Sequence, residues 1–375
     1  MTRKVRLVAI LCAITVLLGA GVFVGIRLLA SRVDNAIPQT DLFGDDPTAT
    51  PPPGGPATAP PSPTAPPGSD IKGPLNILIA GVDTRETNPG WVPNSDAVMI
   101  LHINADLTKA YLTSLPRDLV VNVPAFGPSR FGGARTKLTH AMAYGSRVPG
   151  SRKVNPAQGF QLLARTVSGY TGIPRFDAGA ILTFNGLWKL VNALGGISVY
   201  IDQRVVSIHK RPDGRHRTNC GGCEHGYGGP QMVYNVGRRD LNGWQAIDYA
   251  RQRYTPGADY ARQRHQRQII KAIIAKAMSS DLATNPVKIE AVLRTLGSTL
   301  VFDGRGRKPR KFAYALRRVG GGQLTLIGLP GSGAYSGGQY IGENLNGVQA
   351  SYFAAIRQDK VDAWVSSHRN LVNKR

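Results

Sequence analysis

The chain has 375 residues, of which 42% are hydrophobic, and this is enough for one large domain or two small ones with a real core. The formal net charge is +23 and the pI is about 10.3. So strong a positive charge predicts an anionic partner and excludes a protein that selects cationic partners. Nucleic acid, anionic lipid headgroups and phosphorylated polymers all fit this charge. Residues 1–72 carry six Lys or Arg and five Asp, so +22 of the charge belongs to the rest of the chain.

The N-terminal residues predict a membrane anchor. Three basic residues precede an apolar run from Leu7 to Ile26. About 20 apolar residues match the hydrocarbon core of a bilayer, whereas a cleavable signal peptide usually has an apolar stretch of about 7–15 residues. Cleavage after Gly19-Ala20-Gly21 is the alternative interpretation. We expect a cytoplasmic leader at 1–6 and a transmembrane anchor at 7–30.

This topology places almost the whole chain outside the cytoplasm. The expected location is the cell membrane, with a single pass, a cytoplasmic N-terminus and an extracytoplasmic catalytic domain. Genomic DNA is absent from that side of the membrane, whereas polyanionic wall polymers and lipid pyrophosphates are present. A DNA-binding regulator would need its helix-turn-helix in the few residues before the span. We therefore expect no nucleic-acid partner.

A proline-rich segment follows the anchor. Eleven of the 26 prolines lie between residues 38 and 70, mixed with Thr, Ala, Gly and Ser. Such a segment cannot bury a core and behaves as a semi-extended spacer. We predict a linker at 31–72 and one extracytoplasmic domain at 73–375.

From Pro74 onward, hydrophobic periodicity predicts strands and helices in alternation. The predicted strands are 75–82, 97–104, 109–115, 178–184, 197–201, 248–254 and 323–329. The predicted helices are 156–169, 186–194, 243–247, 259–278, 285–297 and 345–368. This order predicts an α/β fold, an α-β-α sandwich around a central mixed sheet. Residues 207–239, rich in Gly, His, Arg and Cys, are predicted to form a long surface excursion.

Two of the three cysteines lie in that excursion. Cys220 and Cys223 form a CxxC pair, which favours a disulfide in an oxidising compartment. A zinc site that also uses His216 or His225 is the alternative, although a second CxxC or a spaced His pair is missing. Cys12 lies in the apolar run and is expected to be a small hydrophobic residue.

Two arginines lie two residues apart in the predicted strand at 248–254. The period of a strand would place Arg251 and Arg253 on one face. Because neighbouring guanidinium groups repel each other, this placement favours a fork for phosphate oxygens, which Arg contacts bidentately. The alternative is a solvated, charged sheet edge.

The helix predicted from residue 259 begins with a polar stripe. At 100° per residue, Asp259, Arg262 and Gln266 lie within about 60° of one another. The same stripe continues with Ile270, Ile273 and Ala277. Buried polar groups need partners, and a helix N-terminus favours anions. This pattern favours a binding site over a simple Asp–Arg cap of the helix.

Two further carboxylates flank a loop between neighbouring strands. Asp83 ends one predicted strand and Asp96 precedes the next, so both are expected at the same rim of the sheet. Carboxylates beside phosphates suit Mg²⁺, which takes oxygen ligands and keeps several waters. Arg85 and Arg117 would add positive charge at this rim, whereas Asp118 has the alternative role of beginning a turn.

Together these segments resemble the LytR-CpsA-Psr family of wall glycopolymer ligases, over roughly Leu75 to Met278. The matching motifs are Ile79-Ala80-Gly81-Val82-Asp83-Thr84-Arg85, Ser95-Asp96, Leu115-Pro116-Arg117-Asp118, Thr136-Lys137-Leu138, Val191-Asn192-Ala193-Leu194-Gly195-Gly196, Asp248-Tyr249-Ala250-Arg251-Gln252-Arg253, and Asp259 through Gln266. The order and spacing of these motifs are specific, although each one alone is modest. The chain departs from the pattern at Asn94, where many members have arginine.

The resemblance implies a site. It implies Mg²⁺ ligation by Asp83 and Asp96, and Lys137 matches a family lysine near the same pocket. It implies pyrophosphate contacts from Arg85, Arg117, Arg251, Arg253, Arg262 and Gln266, with Asp259 beside them. The excursion at 207–239 is outside the family pattern.

The expected function is Mg²⁺-dependent transfer of a phosphate-linked glycopolymer from a polyprenyl-pyrophosphate carrier to peptidoglycan. Asp259 or Asp118 is the candidate base for the acceptor hydroxyl. Two alternatives remain open, because the same residues would serve a hydrolase of the glycan pyrophosphate or a non-catalytic protein that binds wall polymers.

Overall fold

The computed structural model of the chain describes residues 38–44, 69–83, 88, 90–279, 295, 297–315, 319 and 323–373. The predicted anchor at 7–30, Arg85 and nearly all of the predicted helix at 285–297 lie outside these residues. No helix in the described ranges is long and apolar enough to span a membrane.

Sixteen strands and eight α-helices occur in the described parts of the chain. The strands are β1 (Leu75–Val82), β2 (Ser95–Ile103), β3 (Ala110–Leu115), β4 (Val120–Val123), β5 (Ala134–Lys137), β6 (Ala178–Thr183), β7 (Ile197–Ile201), β8 (Val205–Val206), β9 (Thr218–Asn219), β10 (Tyr227–Gly228), β11 (Val233–Tyr234), β12 (Gly237–Leu241), β13 (Leu300–Asp303), β14 (Leu324–Ile327), β15 (Gly331–Ser336) and β16 (Gln339–Leu345). The helices are α1 (Thr139–Gly145), α2 (Pro156–Thr171), α3 (Phe184–Ala193), α4 (Gly243–Arg251), α5 (Ala258–Ser279), α6 (Pro309–Ala315), α7 (Val348–Arg357) and α8 (Val361–Ser367).

The central sheet is mixed, as predicted. Six strands lie in the order β13-β6-β1-β2-β3-β14. The pairs β1–β6 and β3–β14 are parallel, and the pairs β1–β2, β2–β3 and β6–β13 are antiparallel. The parallel β1–β6 pair brings the carboxyl ends of two strands to one edge, where ligand sites of α/β folds usually form.

Strand β1 shows how the sheet separates two hydrophobic cores. Leu75, Ile77 and Ile79 join one buried cluster, while Leu78 and Val82 join the other. Alternate residues of a strand point to opposite faces, so a strand buried on both faces is apolar throughout. The first cluster includes residues of α4 and α5, and the second includes residues of α1, α2, α7 and α8. Helical layers on both faces agree with the predicted sandwich.

Local signals set the ends of the helices. In α2 the Asn155 side chain accepts a hydrogen bond from the backbone N–H of Gln158, and Pro156 occupies the first turn. Both features stabilise a helix N-terminus. The helix ends at Gly172, whose φ of 68° suits glycine.

Part of the predicted spacer packs on the domain, so the prediction of a free spacer throughout 38–70 is wrong for 38–44. Leu42 is fully buried and Phe43 is 5% exposed. The backbone N–H of Leu42 donates to the Asp303 carboxylate on β13 over 2.8 Å. The prediction was made from the composition of the whole segment, which is dominated by proline. Two adjacent apolar side chains can nevertheless be buried within such a segment.

The excursion at 207–239 is built from short antiparallel pairs. Strands β8 and β11 pair with each other, β9 pairs with β10, and β12 pairs with β7 at the edge of the domain. Cys220 and Cys223 form a disulfide, as the CxxC spacing indicated. Both thiols are therefore engaged, and the zinc interpretation is not supported.

Candidate functional site

The sheet brings Asp83, Asp96 and Phe184 to one edge. Val82 pairs with Ser95 on the antiparallel neighbour and with Thr183 on the parallel neighbour. Asp83 and Phe184 follow the carboxyl ends of β1 and β6, and Asp96 lies at the start of the antiparallel β2, at the register shift opposite Gly81 and Val82, so all three are held at the same rim. The predicted proximity of the two carboxylates follows directly from this register.

Arg251 reaches this rim from a helix, and the predicted strand at 248–254 is wrong. Arg251 is the last residue of α4, and Gln252 returns to extended geometry. A capping box between Asn242 and Gln245 begins the helix, and it extends one turn beyond the predicted end. The guanidinium of Arg251 lies 3.5 Å from the Asp83 carboxylate and 5.0 Å from the centre of the Phe184 ring.

A buried network holds the segment between Arg251 and Arg253. The side chain of Gln252 donates to Asp248 and accepts a hydrogen bond from the backbone N–H of Ile208. The Asp248 carboxylate also accepts hydrogen bonds from Ser207 and Tyr234, each over 2.8 Å. Burial raises the pKa of Asp248, and the hydrogen bonds from Ser207 and Tyr234 oppose this shift. This network fixes where α4 ends and the two arginines emerge.

Arg117 links the rim to the segment after β3. Its Nη1 donates to Asp96 over 2.5 Å, and its Nε lies 3.7 Å from Asp118. Burial alone would lower the pKa of Arg117, but the charge and hydrogen bond of Asp96 raise it above its ordinary value. Lys137 lies 3.8 Å from Asp118 and stacks over the Tyr340 ring. Asp118 therefore bridges two cations.

Helix α5 presents the predicted polar stripe. Arg262 and Gln266 are 4% and 7% exposed, and Ile270 and Ile273 continue the buried face. Nη2 of Arg262 lies 2.5 Å from Asp259, but neither this atom nor Nε makes a hydrogen bond among the described residues. Burial lowers the pKa of Arg262 to about 10 against the opposing charge of Asp259, so the guanidinium remains charged at neutral pH. A buried cation whose Nε makes no hydrogen bond favours an anionic ligand.

These groups surround one cavity. Its lining residues are Asp96, Arg117, Phe184, Ile208, His209, Arg251, Gln252, Arg253, Tyr254, Arg262 and Gln266. Six of the predicted site residues are among them. Asp83, Asp118 and Asp259 each contact an arginine of the cavity lining. Lys137 is one step further away, because it contacts Asp118. Arg85 is outside the described residues.

The excursion contributes part of the wall, which the sequence patterns missed. Ile208 and His209 line the cavity, although neither belongs to a recognised motif. Burial lowers the pKa of His209, and the positive charge of Arg251 lowers it further. A neutral imidazole therefore lies beside the arginines at neutral pH. A signal was available in the sequence, because a basic, histidine-rich insertion directly precedes the arginine motif.

The carboxylates are compatible with Mg²⁺ on the chemistry of their donors. Within the described ranges, no group of three or more His, Cys, Asp or Glu side chains is arranged to hold a metal ion. Asp83 and Asp96 offer oxygen ligands from one rim. Mg²⁺ is commonly bound by one or two carboxylates, with phosphate oxygens and waters as the other ligands, so this pair fits the ion when a phosphate ligand is present.

Comparison with known proteins gives the same family as the motifs. A polyisoprenyl-teichoic acid–peptidoglycan teichoic acid transferase, TagU of Enterococcus faecalis, is 29% identical over 259 residues, which cover 68% of this chain and 72% of the relative. TagT of Bacillus subtilis, named for the same activity, is 28% identical over 278 residues, which are 72% of each chain.

A solved structure shares the fold. The crystal structure of a Streptococcus agalactiae protein aligns with a TM-score of 0.58 and 26% identity, over 76% of this chain and 88% of that one. The LytR_cpsA_psr family matches residues 58–361, which is most of the chain and includes every described part of the cavity. The chain is a member of the LytR_cpsA_psr family.

Proposed function

We propose that this protein is a membrane-anchored phosphotransferase that attaches a phosphate-linked glycopolymer from a polyprenyl-pyrophosphate carrier to peptidoglycan. The observation that carries the proposal is the convergence of Arg117, Arg251, Arg253 and Arg262 on one cavity. The names of the relatives supply the substrate class, since both act between a polyisoprenyl-linked polymer and peptidoglycan.

The arginines bind and stabilise the reacting phosphates. Arg262 offers a buried Nε that makes no hydrogen bond among the described residues, and Arg253 approaches the cavity from the segment after α4. Guanidinium groups contact phosphate oxygens in pairs. Donors that are already in place stabilise the charge that develops on the leaving polyprenyl phosphate without reorganising.

Asp83 and Asp96 would hold Mg²⁺ at the rim. When bound there, the ion would neutralise charge on the pyrophosphate oxygens. Arg251 pairs with Asp83, and Arg117 pairs with Asp96. The same two arginines would remain near the phosphates, because each also lines the cavity.

The acceptor hydroxyl attacks the phosphorus next to the glycan. The bond to the polyprenyl phosphate breaks, a phosphodiester forms between the polymer and the wall sugar, and the departing polyprenyl phosphate takes up the hydroxyl proton. Asp259 and Asp118 were candidate bases, but neither lines the cavity and each contacts an arginine. We therefore assign both carboxylates to positioning Arg262 and Arg117.

The anchor at 7–30 belongs to this proposal. It would keep the domain at the extracytoplasmic membrane surface, where the polyprenyl carrier is embedded. The apolar length of 7–26 and the basic leader support the single-pass topology.

The test uses the purified full chain with a polyprenyl-pyrophosphate glycan, peptidoglycan fragments and Mg²⁺. Arg253→Ala is compared with wild type, and Arg239→Ala, an exposed arginine on β12 outside the cavity, is the matched control. We expect polymer-linked peptidoglycan and polyprenyl phosphate from wild type and the control, and about 100-fold less from Arg253→Ala. Turnover in Arg253→Ala equal to wild type would contradict the proposal.

Two other functions give different results in the same system. A hydrolase would release polyprenyl phosphate without linked polymer, even with a suitable acceptor. A non-catalytic binding protein would retain its role in the cell after Asp83→Ala, whereas a ligase that uses this carboxylate would not.

A further inference from the structure

Tyr254 is a large aromatic side chain that is exposed to solvent. It lines the cavity directly after Arg253 and is 63% exposed. The neighbouring tyrosines Tyr234 and Tyr249 are instead buried at 2% and 0%. Exposing a large aromatic ring forfeits the stabilisation that burial would provide, so Tyr254 contributes little to the core, and its face is available at the mouth of the cavity.

A histidine from the excursion supports this ring. The centres of the His225 and Tyr254 rings are 3.9 Å apart, with 43° between their planes. His225 has a φ of 57°, a left-handed conformation that is uncommon outside glycine, although histidine is among the residues that adopt it more readily. The turn that carries it is closed by the Cys220–Cys223 disulfide and by a hydrogen bond from Cys220 N–H to the Gly226 carbonyl.

The excursion is fastened to the cavity wall at several points. Arg217 donates hydrogen bonds to the carbonyls of Ile208, Tyr227 and Gly229. Ile208 is itself tied to Gln252, between the two arginines. The two-ring platform, defined as Tyr254 and His225, is therefore held in a fixed place relative to Arg253.

The chemistry of this arrangement is a cation beside an aromatic surface. The arginines take phosphate oxygens, and the adjacent platform takes a flat, partly apolar group bonded to that phosphate. A pyranose ring has such a face, because its axial C–H groups are polarised and pack on the electron-rich face of an aromatic ring. A sugar that is bonded to a phosphate in the arginine cavity is close enough to contact the adjacent platform.

We propose that Tyr254 and His225 form a sugar-binding subsite that takes the pyranose ring next to the reacting phosphate. The inference rests on the proposed function, in which a glycan phosphate occupies the arginine cavity. The pyranose can come from the donor glycan or from the acceptor peptidoglycan, and the two sources share the same stacking chemistry.

Binding to the full chain in detergent, measured by calorimetry, tests the subsite without requiring turnover. Three probes are titrated: inorganic pyrophosphate, a short-chain prenyl pyrophosphate that carries N-acetylglucosamine, and a peptidoglycan tetrasaccharide. The variants are Tyr254→Ala and Tyr254→Trp. Tyr335→Ala is the matched control, since Tyr335 is a tyrosine of similar exposure, 66%, on β15 outside the cavity.

We expect Tyr254→Ala to weaken one sugar-bearing probe about tenfold or more, with pyrophosphate affinity unchanged. Tyr254→Trp and Tyr335→Ala should bind that probe as wild type does. Weakening of the prenyl probe identifies the donor sugar, and weakening of the tetrasaccharide identifies the acceptor.

The inference is overturned if Tyr254→Ala binds both sugar-bearing probes as tightly as wild type. An equal loss of pyrophosphate affinity would also overturn it, because Tyr254 would then support the anion site. Failure of wild type to bind pyrophosphate at all would instead count against the proposed function, so the two failures can be told apart.

Discussion

At the scale of single residues, Asp259 and Arg262 have different roles, since one positions the other and only the second meets the ligand. Arg262 lines the cavity and is almost fully buried, whereas Asp259 contacts it from behind the wall. A buried guanidinium needs a nearby counter-charge to remain favourable. The fork of Arg262 is therefore the part that meets phosphate, and Asp259 holds it in position.

This division predicts unequal effects of two conservative substitutions. Arg262→Lys keeps the charge but loses the planar fork, so we expect kcat/KM for transfer to fall about 100-fold. Asp259→Asn keeps the size and one acceptor, and we expect a loss within about tenfold. Steady-state rates and their pH profiles measure both. Abolished transfer in Asp259→Asn, with loss of the acidic limb of the profile, would make Asp259 the base and contradict our assignment.

The sequence predicted individual site residues best where polar or charged residues recur with the periodicity of a helix. The stripe of Arg262 and Gln266 follows from helical geometry alone, and the structure confirms it. Gln252 and Asp248 were missed as positioning residues, because their importance comes from a hydrogen-bond network with Ser207 and Tyr234. Those partners lie far away in sequence, and no local pattern links them.

At the scale of elements, helix α5 carries a pH-sensitive group. His265 is fully buried, and its ring stacks on Tyr249 with the ring centres 4.3 Å apart. Burial, assisted by the charge of Arg264, lowers the pKa of His265 to about 4. An unfolded histidine has a pKa of about 6.5. Between these values the unfolded chain binds more protons, so the free energy of unfolding increases with pH and falls on acidification.

We predict that His265→Phe removes this part of the acid sensitivity while keeping the stacked ring. Between pH 7 and pH 5, wild type should lose about 2 kcal/mol more unfolding free energy than the variant. Urea unfolding at the two pH values measures the difference. The other buried histidines are present in both proteins and cancel. Equal losses in both proteins would show that His265 is not neutral in the folded state.

Strands and helices could be predicted from the sequence where a single hydrophobic periodicity extends over the whole element. Strand β1 has its predicted ends, and the predicted start of α2 is correct. The prediction of a strand at 248–254 was wrong, because the spacing of Arg251 and Arg253 imitates the period of a strand, whereas the capping box at Asn242 begins a helix that continues to Arg251. Tertiary packing of Tyr249 and Ala250 into the core completes that last turn.

At the scale of the whole molecule, residues 38–44 attach the segment after the predicted anchor to the edge of the central sheet. Phe43 packs edge-on against Phe160, with ring centres 5.8 Å apart, and Arg305 lies over its face at 4.1 Å. The chain that leaves the predicted anchor is thus attached to the β13 edge before it enters the remaining proline-rich stretch.

We therefore predict that Phe43→Ala destabilises the domain by about 3 kcal/mol, through lost burial and the cavity left behind. Thermal or urea unfolding measures the change, and Tyr335→Ala, an exposed aromatic, is the control. A fragment that begins at residue 69, and so keeps the buried Ile71, should show a similar loss relative to one that begins at residue 38. Equal stability of both fragments would mean that the segment does not contribute to folding.

The central claim is transfer to a sugar hydroxyl, and the most direct measurement is the reaction in water enriched in oxygen-18. The full chain is incubated with polyprenyl-pyrophosphate glycan, peptidoglycan fragments and Mg²⁺, and the products are read by mass spectrometry. We predict polymer-linked peptidoglycan whose phosphodiester carries no oxygen-18, because both ester oxygens come from sugars. Free glycan phosphate that carries one oxygen-18, without linked polymer, would show that water is the acceptor and would contradict the account.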